Sequence, residues 1–84
     1  MSHRHRRTLE AVFRDPVSAT IVWSEIESML LSFGAHMREG SGSRLAIELN
    51  EQAAHIHRPH PRKEASQFTV REVRDLLIRA GITP

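Results

Sequence analysis

Arg44-Leu45-Ala46-Ile47-Glu48-Leu49-Asn50-Glu51-Gln52-Ala53-Ala54-His55-Ile56-His57-Arg58 is the stretch whose reading decides the fold. Leu45, Ile47 and Leu49 alternate with Arg44, Ala46 and Glu48, the period of two that sets one face of a strand on a core and the other in water. Asn50-Glu51-Gln52 reads as a turn, and Ala53 to Arg58 as the returning strand, with Ala54 and Ile56 inward and His55 and His57 outward. Ala35 to Arg38 supplies a short preceding strand, set off by the flexible Gly40-Ser41-Gly42-Ser43. With Met37 inward, His36 and Arg38 join Arg44, Glu48, His55 and His57 on an open sheet face. Pro59 and Pro61 end the sheet region, because proline cannot donate to a ladder.

Helices flank this meander. Ser24 and Glu27 have capping-box spacing. Ile26, Met29, Leu30 and Phe33 follow at i, i+3, i+4 and i+7 as an apolar stripe, closed by Gly34. Leu31 lies off that stripe and is expected to touch a preceding helix or a partner. Thr69 and Glu72 repeat the capping spacing ahead of a final helix whose buried face is Val70, Val73, Leu77 and Ala80, with Leu76 at its margin and Gly81 at its end. Asp75 and Arg79 are spaced to pair along its outer side. A shorter first helix is expected over Leu9 to Arg14, stopped by Asp15-Pro16. The order helix, helix, three strands, helix predicts an α+β domain with helices on one face of a three-stranded antiparallel sheet. Residues 1–22 are expected to form an N-terminal extension with a short helix, and residues 23–84 the main domain.

At 84 residues the chain supports one modest core. It has no cysteine, hence no disulfide and no thiolate metal site. His55 and His57, two apart on one strand face, could be metal ligands, but solvated histidines are the simpler reading, and no metal or cofactor is expected. No apolar run approaches the roughly 20 residues a membrane span needs. The basic start at His3-Arg4-His5-Arg6-Arg7 leads into Thr8-Leu9-Glu10 rather than the apolar core of a signal peptide, so a cytoplasmic protein is expected. All but Lys63 of the 12 basic side chains are arginine, whose planar fork suits phosphate.

From Trp23 to Ile82 the sequence resembles the HicA-type toxins, the ribonuclease half of toxin–antitoxin pairs. Ser24-Glu25-Ile26 to Phe33-Gly34 is similar to the family's opening helix and glycine. Gly42-Ser43-Arg44 falls where the family usually has Gly-Ser-His before a strand. Arg58-Pro59-His60-Pro61-Arg62-Lys63-Glu64 is similar to its Pro-His-Pro-basic-basic-Glu segment, and Thr69 through Ala80-Gly81-Ile82 to its closing helix. The resemblance implies a double-stranded-RNA-binding-like fold, metal-independent mRNA cleavage, and neutralisation by a HicB-like antitoxin. It also exposes a departure: the family's catalytic histidine follows Gly-Ser, and Arg44 stands there.

Metal-independent cleavage of RNA needs a base for the ribose 2′-OH and stabilisation of charge on the phosphorane. Arginine stays protonated up to a pH of about 12, so it is no base, but it can hold the phosphate. Arg44 is therefore read as the electrostatic group and His60 or His57 as the base, with Arg38, Ser43, Arg58, Arg62 and Lys63 as RNA contacts. His60 has a rival role as a hydrogen-bonding residue in a proline-fixed turn. Two other classes of function stay open: a module that binds RNA without cutting it, and an interaction domain whose ligand is a protein.

Overall fold

A computed structural model describes residues 1–84. The elements in chain order are α1 (His3–Val12), α2 (Trp23–Ser32), β1 (His36–Glu39), β2 (Arg44–Leu49), β3 (Gln52–His57) and α3 (Gln67–Arg79). The sheet is antiparallel in the order β1-β2-β3. The fold is thus α+β, and α2 through α3 follow the helix, three strands, helix order of the double-stranded-RNA-binding-like fold.

The alternation in β2 is realised in space. Leu45, Ile47 and Leu49 are buried, while Arg44 and Glu48 are exposed and Ala46 is half-buried between them. Cross-strand partners share a face, so the pairs Met37↔Ile47, Leu45↔Ile56 and Ile47↔Ala54 build the covered side. A single core joins it to Ile26, Met29 and Leu30 of α2 and to Val70, Val73, Leu76 and Leu77 of α3. The register is set at Leu49↔Gln52, across Asn50 and Glu51 at φ 49 and 68. Two successive positive φ values are the signature of the two-residue turn whose twist matches the flanking strands, and Asn50 also donates from its amide to the Ala80 carbonyl at 2.9 Å.

Helix starts differ from the expectations. α2 begins at Trp23 with Val22 as its cap residue, and Ser24 caps nothing. The reason is tertiary. The Trp23 N–H donates to the Lys63 carbonyl at 2.8 Å and the Ala65 N–H to the Ile21 carbonyl at 2.9 Å, around the bridge Val22↔Glu64. A backbone partner takes the first N–H of the helix, and no side chain caps it. α3 starts ahead of Thr69, because the Ser66 hydroxyl accepts from the Thr69 N–H at 3.1 Å, and Glu72 plays no capping role. Leu76 is fully buried rather than marginal, and Leu31 is 52% exposed. The strands shift by one residue from the expected bounds at β1 and β3.

α1 starts at His3 rather than Leu9 and ends at Val12. The Ser2 hydroxyl accepts from the His5 N–H at 3.1 Å as its cap. Leu9 and Val12 enter the common core, and Arg74 of α3 donates to the Val12 and Arg14 carbonyls at 3.0 and 2.8 Å, satisfying acceptors that a helix end leaves open. Replacing Leu9, 1% exposed, by Ala should therefore cost about 2–5 kcal/mol in urea unfolding, the range for a buried leucine. A loss under about 0.5 kcal/mol, the usual surface value, would show that α1 does not share the core.

Candidate nucleic-acid interface

The face of the sheet opposite the helices is built from three rows fixed by the register. His36, Glu48 and Ala53 form one, Arg38, Ala46 and His55 the next, and Arg44 and His57 the third. Three histidines, two arginines and one glutamate thus share an open surface. None of the molecule's ion pairs, Arg58–Glu27, Arg58–Glu39 and Arg79–Asp75, uses any of these side chains. Arg38 and Arg44 are exposed cations available to an external anion.

Arg44 opens β2 directly after Gly42-Ser43, and Gly42 takes a positive φ of 67 in the turn that delivers it. Its Cα partner is His57, the last residue of β3. Arg58 N–H then donates to the Ser43 carbonyl at 2.8 Å, so the Ser43 backbone is occupied in the ladder and its exposed side chain is what remains for a ligand. The arrangement sets a fixed cation beside an exposed imidazole, the pair of groups that phosphate binding and proton transfer require.

The other candidate residues lie elsewhere. Arg58 turns toward the helices, 3.5 Å from Glu27 of α2 and 3.7 Å from Glu39 of β1, with its buried Nε unpartnered. Its charge is shared between two carboxylates. His60, Arg62 and Lys63 are exposed on the connection between β3 and α3, outside the sheet rows. That connection is anchored where the Lys63 carbonyl takes the Trp23 N–H. Arg44 and His57 are brought together as neighbours in the ladder, whereas His60 is three residues beyond it. No group of three or more His, Asp or Glu side chains converges in a way that could hold a metal.

Two features escaped the sequence reading. Ala46 and Ala53, small outward residues, leave a trough of about 420 Å³ on the open face, walled by His36, Arg38, Glu48 and His55. Period-two parity would have found it, because Ala46 lies between Arg44 and Glu48. The other feature is Glu72 of α3, half-buried, with Oε1 buried and unpartnered. Desolvation raises the pKa of its carboxyl above the usual 4.5, while charge attraction from His57 pulls the other way. No local pattern announces that proximity, since it depends on how α3 crosses β3. A larger cleft of about 680 Å³ lies against α1, lined by Arg4, Arg7 and Arg14 together with Glu10 and Glu25. It contains none of the residues of the sheet rows.

Residues 23–82 match the family described as HicA toxin of bacterial toxin-antitoxin. The chain belongs to the HicA toxin family. It is thereby a member of a toxin–antitoxin family, and Gly42-Ser43-Arg44, the Arg58 to Glu64 segment and the closing helix all fall inside the matched region. No curated protein and no solved structure matches the chain. None of its helices is long and apolar enough to cross a membrane.

The raised Glu72 carboxyl has a consequence for stability. A folded-state pKa above the unfolded value contributes stability that is fully present below about pH 4.5 and lost as pH rises through the folded value. Glu72→Gln should therefore raise the melting temperature at pH 7 and lose that advantage on acidification below 4.5. Thermal melts of both proteins across that range test it, and a Glu72→Gln protein less stable at pH 7 would overturn the assignment.

Proposed function

We propose that this HicA-family chain is a toxin that binds mRNA on its open sheet face, cuts it without a metal ion, and is neutralised by a HicB-like antitoxin. The observation that carries the reading is the pairing of exposed Arg44 with exposed His57 across β2 and β3, in a chain with 11 arginines and no cysteine or tyrosine to share the proton chemistry. Family membership supports the antitoxin partner.

In this mechanism the imidazole of His57 removes the 2′-OH proton. The 2′ oxygen attacks the adjacent phosphorus, the bond to the 5′ oxygen breaks, and that oxygen takes a proton from the protonated base or water. Arg44 donates to the phosphoryl oxygens that gain charge on the way. The products are a 2′,3′-cyclic phosphate and a 5′-hydroxyl. His60 is the alternative base, Arg38 and Ser43 border the reacting row, and Arg62 and Lys63 extend the cationic surface for flanking phosphates. Arg58, tied to Glu27 and Glu39, contributes less to RNA than the unpaired arginines. A cytoplasmic setting accords with an mRNA substrate.

Arg44 in the family's histidine position favours a second reading, a domain that binds RNA without cutting it. The two separate in one experiment. Purified protein in EDTA should cleave RNA and leave cyclic-phosphate ends. Arg44→Ala should slow cleavage by about 10²-fold or more, the scale for one transition-state donor. His57→Ala should abolish it, and Arg44→His should increase it by restoring a second imidazole. Cleavage that survives both His57→Ala and His60→Ala would reject the bases, and binding without cleavage by every version would establish the second reading. Independently, changing Arg62 and Lys63 together to Ala should lower the log–log salt slope of RNA binding by about 1.4, at roughly 0.7 per lost single-strand contact. An unchanged slope would remove both residues from the interface.

A further inference from the structure

The trough on the open face has a layout more specific than phosphate binding requires. Ala46 forms the end of its floor nearest the Arg44–His57 row, and the register defines the four neighbours of Ala46 on this face. Arg38 is across the ladder on β1 and His55 across it on β3, while Glu48 and Arg44 lie two residues away in either direction along β2. Neighbouring strands are about 4.8 Å apart, and residues two apart on a strand are about 7 Å apart. The methyl group of Ala46 leaves an open floor bordered by Arg38, His55 and Glu48, with Arg44 one step beyond the trough along β2. The trough's volume of about 420 Å³ falls within the roughly 300–1,000 Å³ of small-ligand sites. Glu48 is an exposed carboxylate with no ion-pair partner.

Building on the RNA reading above, we infer that this trough is a subsite for one unpaired guanine, placed so that its ribose points to the Arg44–His57 row. A carboxylate accepts hydrogen bonds with both oxygens, and guanine is the base that offers two adjacent donors, N1–H and the N2 amine. Cytosine and adenine place a ring acceptor beside their amine, and uracil flanks its single N–H with carbonyls. A guanidinium matches guanine O6 and N7 in the same way. Those two edges of guanine meet at a corner, as the directions from Ala46 to Glu48 and from Ala46 to Arg38 do. The ribose-bearing N9 lies opposite the N1 edge, and Arg44 lies opposite Glu48. Guanine seated with N1 toward Glu48 and O6 toward Arg38 therefore carries its own 2′-OH and 3′-phosphate toward Arg44 and His57. The His55 imidazole borders the remaining side, where it can pack against the neighbouring base. Cleavage would then fall on the 3′ side of unpaired guanines.

The test uses the full chain and fluorescently labelled oligoadenylates with 2′-fluoro riboses, which cannot be cut by 2′-OH attack. Each carries guanine, inosine or adenine at one central position. Inosine lacks only the N2 amine. The guanine oligomer should bind about ten-fold or more tighter than the inosine oligomer, the scale of one bidentate base contact. Glu48→Gln should bring the two within about two-fold of each other and leave the salt slope unchanged, because the phosphate contacts remain. Ala46→Leu, which fills the floor, should erase the preference too, with circular dichroism melts confirming that both variants fold. Equal binding of guanine and inosine by the unaltered protein, or a preference that survives Glu48→Gln, overturns the subsite while the RNA reading stands. Failure of every oligomer to bind at low salt overturns both.

Discussion

The register at Leu49↔Gln52 is the constraint on which everything else hangs. A strand has two faces, and one residue of slip exchanges them completely. Here a slip would drive Arg44 and Glu48 into the helices and turn Leu45 and Ile47 out to water. The Asn50-Glu51 turn holds β2 and β3 in step, and the bond from Asn50 to the Ala80 carbonyl ties that turn to the end of α3. Core and candidate site are thus two readings of one alignment. The hydrophobic side stabilises it, and the polar side inherits its geometry without contributing much of its own. This explains how a row of unpaired charges can sit on a small domain: burial of Leu45, Ile47, Leu49 and Ile56 on the other face keeps them in place.

The consequence of Arg44 standing where the family usually has histidine follows from the same geometry. Arginine cannot take up a proton near neutral pH, so it can strengthen phosphate binding but cannot serve as the base. The ladder sets His57 across from it, so the two requirements of phosphoryl chemistry can be split between adjacent strands instead of being met by one residue. A fixed cation beside a titratable ring is also a sufficient arrangement for holding a strand of RNA without reacting with it.

What could be read from the residues was whatever period two or a glycine announces. The outward set of His36, Arg38, Arg44, Glu48, His55 and His57 is legible in Arg44 to Arg58 and its preceding strand, and the positive φ at Gly34 and Gly81 accords with the expected helix ends. Features that depend on distant chain were not legible. Ser24 has the spacing of a cap, yet the helix begins one residue earlier, where the Lys63 carbonyl takes the Trp23 N–H. Glu72 has the spacing of a capping-box partner, yet the packing of α3 leaves its carboxyl partly desolvated, with Oε1 unpartnered. Ser66 caps α3 through Thr69 although no Glu or Gln follows at the expected interval. Local pattern lists the groups that need partners, and only the tertiary fold decides who supplies them.

The clamp of Arg74 on the Val12 and Arg14 carbonyls has a dynamic consequence. It ties the chain's first helix to its last, while the strap at Trp23 and Lys63 ties the start of α2 to the connection ahead of α3. Each link closes a loop spanning much of the sequence, and such closures form late because their entropy must be met before the contact is gained. Once both are made, the terminal helix cannot fray by itself, since lifting Leu9 and Val12 would open the core beneath them. The backbone amides of residues 8–12 should then exchange with deuterated solvent only through opening of the whole molecule.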